Sequence, residues 1–142
     1  MPQMAQADNI REQDAGEVKT NVRIPLDNVQ VVYEGKTYTV NGSLHGTFSS
    51  KKQKEGFFIK AHLNAQGVSV MAPDGTVYRG VGAGNLQVRT EEGGATFKAV
   101  ANVGLIGQGK APNFRLHVNL KGSVATDGQV TVELDKVQAH KG

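Results

Sequence analysis

The stretch at residues 57–84 constrains the fold most, because it alternates apolar and polar residues and shows no helical period. In its first part every second residue is apolar: Phe57, Ile59, Ala61 and Leu63. A period of two is the pattern of a β-strand that buries one side. The stretch therefore predicts sheet without a helical interruption.

The same stretch contains a strong turn signal at Pro73-Asp74-Gly75. Proline fixes φ for the bend, aspartate bonds back to nearby backbone, and glycine accepts a positive φ. We therefore predict a hairpin here, with Tyr78 and Arg79 on the returning strand.

Alternating segments continue on both sides of this stretch, separated by turns predicted at residues 34–35, 91–94 and 126–129. Eighteen glycines, 6% aromatic residues and no tryptophan in 142 residues favour strands joined by glycine turns over packed helices. We predict an all-β domain of about eight to ten antiparallel strands at residues 17–142. Residues 1–16 are polar and are predicted to form an N-terminal arm.

This many consecutive hairpins either close into a single β-barrel or divide into a β-sandwich. The barrel is the preferred prediction, because glycines within long strands suit strong coiling and closure removes exposed sheet edges. The sandwich remains the alternative.

Charge and composition exclude several classes of partner. The formal net charge is +3, which is small and spread along the chain and selects no partner. Basic residues beside aromatic ones, as at Phe97-Lys98 and Phe114-Arg115, are too few for a nucleic-acid platform, so no nucleic acid is expected. No apolar run approaches a membrane span, and there is no cysteine.

The N-terminal residues lack the charged-then-apolar layout of a signal peptide. This leaves two possibilities open: the protein stays inside the cell, or a signal has been removed.

No catalytic group can be assembled from the sequence, and no cofactor is predicted. Residues 104–110 match the spacing of a phosphate-binding loop, but Ala111 and Pro112 follow where a hydroxyl and a helix are needed. Residues 80–84 lack the third glycine of a dinucleotide-binding motif, where Asn85 stands. The acidic residues near the turns, Glu91, Glu92 and Asp127, are interpreted as solvated.

Three histidines lie on predicted polar strand faces and a fourth lies near the C-terminus: His45, His62, His117 and His140. Their spacing supports no shared metal site, so none is predicted. A ligand contact is predicted instead from polar groups on the central strands near the hairpin, because small barrels often bind ligands at their mouths. The candidate binding residues are His62, Asn64, Tyr78 and Arg79.

Three short motifs carry a resemblance to known proteins: G-x-x-H at residues 42–45, N-x-x-G at 64–67 and G-x-x-Y-x-G at 75–80. In these motifs the chain resembles a loose group of small secreted bacterial all-β proteins of unassigned function, over about residues 37–84. The resemblance implies an extracellular or periplasmic location and brings no chemistry with it.

We expect a non-enzymatic binding or structural β-barrel, exported and able to self-associate into a homo-oligomer. One alternative is a barrel enzyme or carrier for a small apolar molecule, with His62 or His45 orienting the molecule inside a cavity. Another is a subunit of a filament or phage-type assembly that associates through residues 1–16.

Overall fold

The computed structural model describes residues 16–107 and 113–141, so the predicted arm lies outside the described residues except for Gly16. Residues 108–112 also lie outside them. The strands are β1 (Glu17–Tyr33), β2 (Lys36–Lys52), β3 (Phe57–Met71), β4 (Val77–Arg89), β5 (Thr96–Gly107), β6 (Phe114–Val124) and β7 (Val130–Lys141).

These seven strands form one antiparallel sheet in chain order, and the sheet curls into a nearly closed barrel. The prediction of an all-β barrel is confirmed, and the sandwich alternative is wrong because there is a single sheet. Seven strands replace the predicted eight to ten, because segments predicted as separate strands are continuous. Local irregularities in β1, β3 and β4 account for the difference.

β1 is continuous from Glu17 to Tyr33, although its pairing with β2 is interrupted near its middle. The β1–β2 register shifts between Leu26 and Val29, and Asn28 takes a positive φ of 50°. The Asn28 backbone N–H donates to Asn41 Oδ1 at 2.9 Å, which occupies a donor freed by the bulge. An extra residue of this kind bends a strand without ending it. The predicted bend of β3 at Gly67 is a second irregularity of this type.

The predicted hairpin turns are confirmed. β1 and β2 are joined by Glu34 and Gly35, whose φ angles of 50° and 78° are those of a two-residue turn that matches strand twist. Between β3 and β4 the Gly75 N–H donates to the Ala72 carbonyl at 3.0 Å. The Thr76 N–H donates to Asp74 Oδ1 at 2.9 Å, which is the aspartate bond that the sequence predicts.

The interior of the barrel is filled by alternate residues of each strand. In β3 every second residue from Phe57 to Leu63 is buried. In β6 every second residue from Phe114 to Leu120 is buried in the same way. The largest fully buried side chains include Phe48, Phe97, Ile24, Leu26, Leu44, Ile59, Leu63, Leu105, Leu116 and Leu120. Since the sheet of the described residues packs against itself, this interior is the core of the fold.

β1 and β7 lie side by side, but no backbone ladder joins them within the described residues. At one end of this seam the Val130 N–H donates to Thr20 Oγ1 at 3.1 Å, and Ser50 Oγ donates to the Gly128 carbonyl at 2.6 Å. At the other end Tyr33 stacks on Phe114, with ring centroids 4.6 Å apart. Side chains therefore close the barrel where backbone pairing is missing.

A second discontinuity separates β4 from β5. These strands pair only over six positions, from Tyr78 opposite Gly107 to Ala83 opposite Asn102. Gly82, Ala83 and Gly84 all have positive φ, and the rest of β4 pairs only with β3. We attribute the divergence to this left-handed segment, because an extended strand cannot pass through such angles without bending.

Gly46 shows how closely the strands approach inside the barrel. A Cβ on this residue would overlap the backbone carbonyl of His62 and lie 2.7 Å from Leu63 Cδ2. The carbonyl belongs to the ladder of the neighbouring strand and cannot move aside cheaply. Gly104 provides a contrast, since its Cβ would find Val81 Cγ2 at an ordinary 3.5 Å.

We predict that Gly46→Ala lowers the free energy of unfolding by about 1–3 kcal/mol, as overpacking does in other interiors. Gly104→Ala is the matched control and should change it by less than about 0.5 kcal/mol. Urea unfolding followed by far-UV circular dichroism measures both variants. Equal stabilities for the two would contradict the packing described here.

Candidate functional site

A cavity of about 540 Å³ opens at the end of the barrel that carries the β1–β2 and β3–β4 hairpins. The described residues that line it are Tyr33, Glu34, Lys36, Tyr38, Ala72, Pro73, Asp74, Thr76, Tyr78 and Phe114. We call it the mouth cavity. Its volume falls within the range of roughly 300–1,000 Å³ that is usual for small-molecule sites.

Four aromatic rings form the floor and one wall of the mouth cavity. Tyr33 lies parallel to Phe114, with an interplanar angle of 8°, whereas Tyr78 meets the same ring edge-on at 4.9 Å. The ring centroid of Tyr38 lies 5.3 Å from that of Phe114 and 6.2 Å from that of Tyr78. Offset-stacked and edge-on pairs are the favoured arrangements of aromatic rings, so this cluster holds its own shape.

The strand register explains why the rings meet. Tyr38 and Tyr78 are inward residues close to the ends of their strands, and both are buried. Tyr33 is the last residue of β1, and Phe114 is the first of β6. All four therefore lie at the same end of the barrel, where they line the mouth cavity.

The phenols of the mouth cavity, whose ordinary pKa of 10.0 is well above neutrality, have pKa values raised further by their surroundings. Burial raises the pKa of Tyr38, and the carboxylates of Glu34 and Asp74 raise that pKa further. Burial also raises the pKa of Tyr78, with smaller effects from Tyr38 and Asp74 in the same direction. The hydroxyls are therefore neutral donors at physiological pH. Within the described residues neither hydroxyl makes a side-chain hydrogen bond.

The rim of the mouth cavity carries charge of both signs. The Thr76 backbone N–H lowers the pKa of Asp74, the Thr76 side chain lowers it further, and Lys36 adds to the effect. Asp74 is therefore ionised, and it is held in place by the turn that contains it. A ligand in this cavity would meet rings at the floor and charges at the entrance.

The four residues predicted to bind a ligand do not lie together. Tyr78 lines the mouth cavity, but His62 and Asn64 are exposed on the outer face of β3, and Arg79 is exposed on the outer face of β4. Adjacent residues of a strand point to opposite sides of the sheet, which separates Tyr78 from Arg79. His45 also lies on the outer face, so neither it nor His62 reaches the interior, as the enzyme alternative requires.

The sequence prediction missed Tyr33, Tyr38 and Phe114. The sequence does contain a signal for them. The chain has only eight Phe and Tyr residues, and these three lie near strand ends. Their convergence depends on the order and register of the strands. Sequence alternation alone does not provide either.

Two of the four histidines form a pair on the outer wall. The rings of His117 in β6 and His140 in β7 stack with centroids 3.9 Å apart. His62 is separate and contacts Asn85, with Nδ1 and Oδ1 2.6 Å apart. Within residues 16–107 and 113–141 no group of three or more histidine, aspartate or glutamate side chains is arranged to hold a metal ion.

The described parts of the two glycine motifs lie in strands. Gly104 is within β5, and Lys110 of the same motif lies outside the described residues. The motif at residues 80–84 is part of β4, where it contributes to the divergence from β5. Its role is therefore explained by backbone geometry.

Comparison with known proteins gives no match to any protein-family model, curated protein or solved structure. The part of the chain that the structure describes contains no helix of the length and apolar character needed to cross a membrane.

We predict that His117 makes stability depend on pH. Burial lowers its pKa below the ordinary value of 6.5, and His140 and Arg115 lower it further. The unfolded chain then binds the proton more readily than the barrel does. The free energy of unfolding should decrease as the pH falls through 6.5 and should level off below the folded-state pKa.

Urea unfolding at a series of pH values measures this dependence. His117→Asn should reduce the slope of unfolding free energy against pH in that range, whereas His45→Asn, a control on the same outer face, should leave the contribution of His117 in place. An identical slope in wild-type protein and His117→Asn would exclude the assignment.

Proposed function

We propose that this protein is a non-enzymatic β-barrel binding protein that holds a small, largely apolar, ring-containing molecule in the mouth cavity. The main supporting observation is the convergence of Tyr33, Tyr38, Tyr78 and Phe114 on a cavity of about 540 Å³. The deeper interior is filled by fully buried side chains, so the space for a ligand lies at this end.

The chemistry of the lining defines the ligand further. The flat aromatic walls favour a planar apolar body, because stacked and edge-on ring contacts add to the burial of apolar area. The neutral phenols of Tyr38 and Tyr78 can donate to an acceptor oxygen on that body. Lys36 at the rim gives a further donor at the entrance.

Binding is favoured over catalysis for a specific reason. Among the ionisable lining groups, the three phenols have raised pKa values and the Asp74 carboxylate has a lowered one. Each shift moves the pKa of its group farther from neutral pH. A general acid or base, by contrast, is most effective when its pKa lies near the working pH. The proposal also includes export, which rests on the resemblance of residues 37–84 alone.

Tyr33→Ala tests the proposal with the neutral fluorescent probe N-phenyl-1-naphthylamine. Wild-type protein should give a saturable rise in fluorescence, and Tyr33→Ala should weaken binding about 2- to 10-fold by removing one stacking wall. Phe58→Ala is the matched control, because Phe58 lies on the outer face at the other end of the barrel, under Arg89.

Native mass spectrometry of the purified protein provides a second measurement, through any small molecule that stays bound. Equal affinity of the probe for wild-type protein and Tyr33→Ala, or no saturable binding at all, would contradict a ligand in the mouth cavity.

Self-association is a second candidate function, supported by an apolar patch on the outer wall. The patch surrounds Arg79 of β4. Val77 and Val81 lie two residues before and after Arg79 on the same strand, Met71 pairs with Val77, and Ile106 pairs with Arg79 itself. All four apolar residues are exposed, by 36% to 52%. Four side chains are far fewer than the roughly 20–30 residues per side of a stable interface, so we propose a weak homo-oligomer.

Multi-angle light scattering over a range of protein concentrations tests this second candidate. Ile106→Lys should abolish any concentration-dependent increase in mass, because it buries a charge in the contact. Val100→Lys alters an equally exposed valine outside the patch and should leave the mass unchanged. A constant monomer mass for wild-type protein would contradict association.

A further inference from the structure

A shallow groove of about 670 Å³ crosses the outer face of β1 to β4, on the opposite side of the sheet from the core. The residues that line it are Lys19, Asn21, Thr47, Ser49, Lys60, Ala61, His62, Asn85, Leu86 and Gln87. We call it the outer groove. It is distinct from the mouth cavity, which shares none of these residues.

The polar side chains of the outer groove form two rows across the strands. In one row Asn21, Thr47, His62 and Asn85 are successive cross-strand partners. The row beside it is formed in the same way by Lys19, Ser49, Lys60 and Gln87. Cross-strand partners lie on the same face and close together, so each row is a continuous strip of polar groups.

Hydrogen bonds within the first row leave donors facing the solvent. Thr47 Oγ1 donates to Asn21 Oδ1 at 3.2 Å, and His62 Nδ1 donates to Asn85 Oδ1 at 2.6 Å. These bonds engage the side-chain oxygens of Asn21 and Asn85. Within the described residues the side-chain nitrogens of the two asparagines have no hydrogen-bond partner. Each amide nitrogen carries two donor hydrogens, so the row offers donors to a ligand.

The charge of the outer groove also favours an anionic ligand. Lys19 and Lys60 lie in one row with a single strand between them, roughly 10 Å apart at the inter-strand spacing of sheets. Among the described residues, no carboxylate lines the outer groove. By contrast, the groove beside Lys98 and Lys121 also contains Glu91 and Glu133, which would repel an anion.

We propose that the outer groove binds an acidic polysaccharide, with Lys19 and Lys60 contacting its carboxylate or sulfate groups and the amides contacting its hydroxyls. An extended chain suits a groove that crosses four strands and is open along its length. A nucleic acid is less suited, because the described lining contains no Phe, Tyr or Trp ring on which a base could stack. This proposal is independent of the ligand in the mouth cavity.

The test uses the whole protein with three probes: polygalacturonate, dextran sulfate and neutral dextran. Isothermal titration should detect binding to at least one acidic polymer and none to dextran, and the binding should weaken as salt is added. Lys19→Gln/Lys60→Gln should reduce the affinity about tenfold, since it removes both charge-assisted contacts. These exposed positions lie outside the core, so the variant should fold normally.

Lys98→Gln/Lys121→Gln is the matched control, because it removes the same charge from a cross-strand pair on another part of the outer wall. Its affinity should stay within about twofold of wild type. Equal losses in the two double variants would show attraction by net charge alone and would overturn the proposal. It would also be overturned by tighter binding to oligo-dT than to either acidic polymer, or by binding to neither polymer.

Discussion

The fold depends on one constraint, which is that a single sheet must bury its apolar face without a second layer to cover it. No helix of the described residues packs on the sheet, and the short turn of 3-10 helix at Glu91–Gly93 buries nothing. Curling is then the available way to remove the face from water. The core, the seam and the mouth cavity all follow from that curling.

Strong coiling requires strands to approach closely and to bend, and particular residues allow both. Gly46 leaves space for a backbone carbonyl of the neighbouring strand, which a Cβ would overlap. Gly122 leaves space for the ring of Phe97 in the same way. The bulge at Asn28 bends β1 without ending it. Closure remains incomplete at β1 and β7. There a bond from the Val130 N–H to Thr20, a bond from Ser50 to the Gly128 carbonyl and the stacking of Tyr33 replace a ladder.

The sequence predicted the alternation, the turns and the barrel class, because these are local properties. A period of two identifies the inward residues of β3, and Pro73-Asp74-Gly75 identifies its turn. The number of strands was overestimated, because a bulge and a strand end look alike in sequence. The mouth cavity was missed for a further reason: Tyr33 and Phe114 are far apart in the chain and meet only through the strand order and closure of the barrel.

The same period of two determines where chemistry can be placed. Along β3, Ile59 and Leu63 face the core while Lys60 and His62 face the outer groove, so neighbouring residues belong to different environments. Tyr78 and Arg79 are separated in the same way. A binding site in this fold is therefore assembled from every second residue of several strands, along a row of cross-strand partners or around one end of the barrel. The two proposed sites represent these two arrangements, and substitutions in one need not disturb the other.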